Sequence, residues 1–391
     1  MTADERRSTQ SLAAIFALRM LGLFLVLPVF ALEARKYPGG DDPALIGLAM
    51  GLYGLTQAVM QVPLGLASDR LGRKRVIVAG LLVFAAGSVL AALAGSIHGL
   101  MIGRALQGAG AVSAAVTALL ADLTRDEVRT KGMALVGMSI GLMFAISLMA
   151  APPLAGWFGL SGLFGLTAAL ALGGIAIVLL WTPAEPVKHA DQPRGRLADV
   201  WRHPRLWRLD LGVFVLHTVQ MAMWVVVPGL LVAAGLPKAV HWHVYLPAVA
   251  ASFVLMGGLF AAERRGHLLA VWRGAIVLLL LVQLALMLLG PRAPGVAELG
   301  VVLFFFFVAF NILEASQPSL VSRLAPAHAR GAALGVYNTL QSLGLFTGGA
   351  LGGALLKGWG VMAVFGVTAL LVAAWLLLGW GQTMPEALPH R

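Results

Sequence analysis

Long apolar stretches, separated by short polar ones, run the whole length of the chain. Twelve are long enough to cross a hydrocarbon layer of about 30 Å as helices. They fall at about 11–32, 44–67, 76–95, 97–121, 132–155, 161–181, 209–234, 240–262, 270–290, 296–322, 331–356 and 361–380. The spans divide six and six around the one long polar connection, "TPAEPVKHADQPRGRLADVWRHPRLWR". The pattern predicts an all-α membrane protein whose twelve transmembrane helices form two six-helix bundles. Residues 1–181 are expected to make the first bundle and 182–208 a cytosolic linker. A second bundle with a short tail takes 209–391. An amphipathic piece around Leu197–Trp207 is expected to lie on the membrane surface.

Composition supports this reading. Only 12% of residues are charged and 59% are hydrophobic, too little polar surface to coat a soluble domain, where about a quarter are charged. The 47 glycines suit close helix packing in lipid, and the absence of cysteine excludes disulfides and thiol chemistry. No cleavable signal is needed, since the first span can insert the chain.

The net charge of +11 suggests nucleic acid until its placement is considered. With the N-terminus in the cytosol, Arg35, Lys36, Lys238, Arg292 and Lys357 lie outside, and Arg19 and Arg104 lie within spans. The rest of the 28 Lys and Arg fall on the cytosolic side. That is the positive-inside bias, with a modest attraction to anionic lipids. Both termini are therefore expected in the cytosol, and nucleic acid is not a partner.

Faint repetition joins the halves. "SDRLGRK" after span two is echoed by "AERRGHL" after span eight, and "KGMAL" entering span five by "RGAAL" entering span eleven. Repeats in the same orientation are expected where two bundles surround a central path.

The densest charge cluster is "GLASDRLGRKR": Gly65, Asp69, Arg70, Gly72, Arg73, Lys74 and Arg75, between spans two and three. It lacks the Gly-Lys-Ser/Thr ending of a phosphate loop. Its acid and bases suit a latch whose pairs hold one conformation and break in another. An ordinary positive-inside loop is the plainer reading. This stretch resembles the signature loop of the major facilitator superfamily. "LGLFLVLPVF" and "GRALQGAGAV" resemble the family's first- and fourth-span patterns, the latter through Arg104, Gln107, Gly108 and Gly110. Over nearly the whole chain the likeness is to the YajR-like group of proton-coupled drug exporters. It is carried by "LRMLGLFLVLP", "IGLAMGLYGLTQAVMQVPLGLASDRLGRK", "ALLADLTRDEVRTK" and "FFFVAFNILEASQPSL". The fifth-span antiporter motif departs: "AAPPLAGW" puts Ala151 where the family has a glycine. Some members carry a small cytosolic domain after the last span; none is expected within residues 1–391.

Ionisable groups inside spans are costly and mark functional paths. Arg19, Arg104, His217 and Glu314 lie well inside spans one, four, seven and ten. The resemblance implies that these four helices line the central cavity. His217 and Glu314 each sit about nine residues, roughly 13 Å, from the cytosolic end of their spans. The two can therefore meet. Glu314, the lone deep acid by these boundaries, is the expected proton carrier and His217 its partner or relay. A fixed hydrogen-bonded pair between two helices remains open. For Arg104, proton coupling and packing with carbonyl bonding both stand. Arg19 either binds an anionic group or pairs with Glu314. Tyr53, Gln57 and Gln61 form a stripe on span two, suited to substrate contact or to helix–helix hydrogen bonding.

Met221 and Trp224 share His217's face, and Phe307, Asn311 and Pro318 share Glu314's, as apolar cavity lining or as core. "HWH" (241–243) has metal-binding residue types but no third ligand nearby, so it reads as an interfacial belt. No catalytic grouping, nucleotide fingerprint or metal site appears, and neither enzyme nor cofactor is expected. The resemblance implies a monomeric bacterial inner-membrane exporter of small amphipathic compounds in exchange for protons, working by alternating access. A carrier without proton coupling and a non-transporting sensor or scaffold are the alternatives. The cavity acid disfavours the second.

Overall fold

The computed structural model describes residues 1–185, 204–262, 267–326 and 329–381. Among these the chain is helical throughout: α1 (Ala3–Glu33), α2 (Pro43–Leu71), α3 (Arg73–Ala92), α4 (Ile97–Ala109), α5 (Ser113–Asp122), α6 (Asp126–Ala176), α7 (Pro204–Ala233), α8 (Trp242–Ala262), α9 (Leu268–Leu289), α10 (Val296–Leu324) and α11 (Arg330–Gly379). Most of the expected linker, including the amphipathic piece up to residue 203, lies outside the described residues, as does the core of the "AERRGHL" echo.

Local chemistry sets the helix ends. Thr2 accepts from the Glu5 amide while Glu5 reaches back to Thr2, a reciprocal cap that starts α1. Asp42 caps α2 ahead of Pro43.

Among the described residues, ten helical segments are long and apolar enough to cross a membrane. Two of them are double-length. The 51 residues of α6 would run about 75 Å if straight, more than twice the hydrocarbon layer. Instead α6 breaks at Gly159 (φ 65°), and α11 breaks the same way at Gly360 (φ 77°). These left-handed conformations exclude most side chains. Each helix is therefore two spans, which gives twelve.

In the first half α1 packs on α6, and α3 on α4 and α6. In the second, α7 packs on α11, α10 on α8 and α9. The halves meet chiefly along α2 and α11, with α1 on α7 and α6 on α8 beside them. Helix α7, apolar almost all round, is the most enclosed of the spans among the described residues. It starts at Pro204, five residues earlier than the apolar pattern suggests.

The α2–α11 seam is a zipper of small residues. A Cβ on Gly47 would stand 2.2 Å from the Gly349 carbonyl oxygen, and one on Gly51 2.7 Å from that of Phe346. Gly47-x₃-Gly51 faces Gly349-x₃-Gly353, the small-residue spacing that lets backbones touch in lipid. At the same end, Lys357 bonds Asp42 at 2.6 Å and Lys238 pairs with Glu33, each joining one half to the other. The face opposite the Asp69–Arg75 loop is thus closed.

Candidate functional site

At mid-depth three second-half side chains converge. His217 (α7) directs Nδ1 to the Val213 carbonyl at 3.0 Å, one helical turn back. That acceptor fixes the Nδ1–H tautomer of the neutral ring and leaves Nε2 as an acceptor. Gln341 (α11) meets it: its Nε2 lies 2.7 Å from His217 Nε2 and 3.3 Å from Glu314 Oε1. Glu314 Oε2 stands 3.4 Å from His217 Nε2. The meeting of His217 and Glu314 follows the depth argument. Gln341 was missed, although the two amides of "YNTLQSLG", Asn338 and Gln341, inside an expected span were a usable signal.

The Glu314 side chain is 37% exposed against 5% for His217. The cluster therefore opens to one side. Rings fill the other. One to two helical turns toward the closed face, Phe144 (α6) lies 6.5 Å from Trp224, 6.1 Å from Phe307 and 6.5 Å from Phe310, centroid to centroid. Phe24 of α1 flanks it at 5.2 Å. Phe310 also meets the His217 ring at 5.9 Å. Phe144 is one apolar residue among many in its span, and nothing in the sequence singled it out.

Both arginines lie in the first half, away from Glu314. Arg19 donates to Tyr53 Oη at 2.8 Å and Ser113 Oγ at 3.0 Å. Arg104 donates to Gln107 Oε1 at 2.9 Å and the Met50 carbonyl at 3.4 Å, with its guanidinium over the Tyr53 ring. Tyr53 thus ties one arginine by its hydroxyl and the other by its ring face. Among the described residues no ion pair joins Arg19 to Glu314. Asn311 bonds Ser252 of α8 at 2.9 Å, within its own half. Met221 is buried against the zipper helix at Gly348. Gln57 is half-buried, and Gln61 is buried. His241 bonds the Leu236 carbonyl, and no metal-binding group of three occurs among the described residues.

Glu314 is not the only acid within the spans of the second half. Asp210, one residue inside the expected edge of span seven, is 4% exposed because α7 extends a turn and a half beyond it. It lies seven residues before His217, on the same helix face.

The Asp69–Arg75 loop is a network. Arg73 pairs with Asp69 at 2.6 Å and with Asp122 of α5 at 3.2 Å. The Arg73 and Lys74 amides donate to the Glu185 carboxylate at 2.9 and 2.5 Å, and Lys74 Nζ to the Thr182 carbonyl at 2.6 Å. An acid at a helix N-terminus is favoured by its free N–H groups. Here it comes from the chain after span six. A Cβ on Gly72 would lie 3.5 Å from the Glu185 carboxylate, and Arg70 and Arg75 are exposed.

Two helical halves around a mid-depth ionisable cluster, with a charged loop on one face, are the architecture of a solute carrier, and residues 12–349 match the Major Facilitator Superfamily. The chain belongs to that superfamily. It is 43% identical to "Inner membrane transport protein YajR" of Escherichia coli, over 99% of this chain and 85% of that protein. It is 29% identical to "Multidrug resistance protein MdtH" of Aeromonas hydrophila, over 90% of this chain and 91% of that one. Among solved structures, a bacterial homologue of the human lysosomal transporter Spinster superposes with a TM-score of 0.74 at 16% identity, covering 97% of each chain. The protein is a multi-pass membrane transporter of the major facilitator fold, not an enzyme.

Proposed function

We propose that this transporter exports small amphipathic compounds by proton antiport, with Glu314 as the carrier and His217 and Gln341 setting its hydrogen bonds. The observation that carries the reading is the His217–Gln341–Glu314 cluster, with one carboxylate facing the open side of the path between the halves. With His217 neutral, Gln341 donates to both partners. When a proton enters, either Glu314 loses its charge or His217 gains a donor at Nε2, and the Gln341 amide must then satisfy a different pattern. Each state favours a different arrangement of α7, α10 and α11, which is what exchange requires. The surrounding rings leave little polar lining for sugars and favour apolar solutes. Likeness to a multidrug resistance protein along nine-tenths of the chain supports the same class.

In this reading the loop face is cytosolic, in keeping with the basic bias, so the molecule is seen facing inward. The bundles are residues 1–181 and 209–391, joined by a cytosolic linker, in a monomer held in the inner membrane. The Asp69–Arg73–Asp122 network, with Arg70 and Arg75 at its rim, steadies the cytosolic ends of the first bundle.

The test is substrate-dependent proton flux in liposomes. Glu314→Gln keeps size and hydrogen bonding but carries no exchangeable charge. It should retain downhill exchange and lose uptake driven by a pH gradient. Full pH-driven uptake by Glu314→Gln would overturn the assignment.

A further inference from the structure

The aromatic cluster beyond Glu314 is put together unevenly. Three of its rings, Trp224, Phe307 and Phe310, stand on α7 and α10 of the second half. The fourth, Phe144, comes from α6 of the first half and meets all three at 6.1–6.5 Å. Two of these meetings are edge-to-face, at 71° and 68°, as preferred by independent rings. When the halves part along the α2–α11 seam, Phe144 leaves with the first half and the other three stay together. The vacated place has the size and shape of one aromatic ring.

A second observation points to a ligand. Trp224 packs its ring against Tyr245 at 5.6 Å, and both side chains are buried. Neither Trp224 Nε1 nor Tyr245 Oη has a hydrogen-bond partner among the described residues. Buried donors of this kind are ordinarily satisfied. Phe144 has no polar atom to offer them. A ligand ring bearing a carbonyl or other acceptor would offer one.

We propose that the Trp224–Phe307–Phe310 box seats an aromatic ring of the substrate that carries a hydrogen-bond acceptor, and that Phe144 occupies this seat while the far face is closed. Phe144 is therefore an internal competitor for substrate. This deepens the export reading by naming the substrate's recognised part. It does not depend on which residue carries the proton.

The test uses coumarin, a neutral bicyclic aromatic with a carbonyl, and naphthalene, of similar size without one. Binding to the purified full-length protein is measured by equilibrium dialysis. Phe144→Ala should bind coumarin about tenfold more tightly than wild type, because the competing ring is gone. Phe144→Leu keeps apolar volume but loses the flat ring, and should fall between the two. It also guards against loss of fold in the alanine variant. In the Phe144→Leu background, Trp224→Phe keeps the ring, removes the N–H, and should abolish the preference for coumarin over naphthalene. Unchanged or weaker coumarin binding by both Phe144 variants, while they melt as wild type does, would overturn the proposal. Retention of the coumarin preference by the Trp224→Phe protein would remove the acceptor half of it. Coumarin binding is read at equilibrium with no pH gradient, whereas the proton reading is tested by gradient-driven flux, so failure of the one and failure of the other are separately visible.

Discussion

Adding one methyl group at Gly349 should open the far face. A Cβ there would lie 2.5 Å from the Gly47 carbonyl oxygen, 2.8 Å from the Gly51 amide nitrogen and 3.0 Å from the Gly51 Cα. All three are backbone atoms of α2, so no rotamer change relieves the clash. The two helices must separate. Overpacking of this kind costs about 1–3 kcal/mol, and with backbone on both sides the upper end applies. If the seam exists only in the closed form, that cost shifts the two-state balance toward the open form by about 5- to 150-fold. The cysteine-free chain makes the measurement direct. Spin labels at His98→Cys and Arg292→Cys, exposed positions on the far face of opposite halves, report the separation. Gly349→Ala should add or enlarge a long-distance population. Gly229→Ala, whose Cβ would meet nothing within 4 Å, serves as the control. An unchanged distance distribution for Gly349→Ala would mean that the zipper does not set the gate.

Three further outcomes are expected. The Lys357 ammonium bonded to Asp42, aided by the Ala44 amide, holds the Asp42 carboxyl below its ordinary value. Its contribution to closure is therefore present above the ordinary aspartate range and lost only as pH falls through the depressed value. Asp42→Asn should widen the same spin-label distance at neutral pH and remove its further widening in strong acid; identical acid responses in both proteins would count against the latch. Glu185→Ala removes the carboxylate that caps α3 and should speed amide exchange at Arg73 and Lys74 by about fivefold, the worth of a cap near 1 kcal/mol; unchanged exchange would show that the contact contributes nothing. Gln341→Leu keeps the bulk but leaves His217 Nε2 and Glu314 Oε1 without their shared donor, at about 1–3 kcal/mol. The pH profile of transport should move, and an unmoved profile would exclude Gln341 from the coupling.

The twelve spans were legible because length and apolarity alone specify a membrane helix. The break inside α6 was legible too, as the gap between spans 132–155 and 161–181, but the residue that makes it was not: Gly159 is one of many glycines, and only its left-handed φ marks it. Depth along each span was equally legible, and it brought His217 and Glu314 together. Azimuth was less so. Phe307, seven residues before Glu314, is offset by only about 20° at 3.6 residues per turn, and it does face the centre. Asn311, three residues before, is offset by about 60°, enough to turn its amide to Ser252 on α8. Arg19 and Arg104 sit on cavity helices, yet local partners in their own half hold them: Tyr53, Ser113, Gln107 and a carbonyl. Glu185 lay beyond reach of sequence reasoning, because its role depends on a contact more than a hundred positions away.

The division of charge between the halves bears on how a proton can move the whole molecule. Apart from Glu5 and Glu33 at the two ends of α1, the first half's buried charges among the described residues are the guanidinium groups of Arg19 and Arg104, which stay protonated throughout the physiological range. They are tied to neutral partners. The second half holds the cluster proposed to take the proton, Glu314 with His217. A change in protonation therefore alters one half directly and must be passed to the other across their contacts. Helix α11 is built for that transfer. Gln341 faces the His217–Glu314 pair, and the next residue, Ser342, already belongs to the seam: its carbonyl oxygen would stand 2.4 Å from a Cβ on Gly54 of α2. Phe346, Gly349 and Gly353 continue that seam toward the far face. A reorientation of the Gln341 amide thus acts on the same helical turn that begins the zipper. The proposed aromatic seat is the second crossing point, since Phe144, backed by Phe24 of its own half, meets three rings of the second half. If the two proposals hold, one crossing responds to the proton and the other to the solute, and both must release before the far face opens. On the proposed function, two releases required for one movement would bind the flow of protons to the flow of substrate.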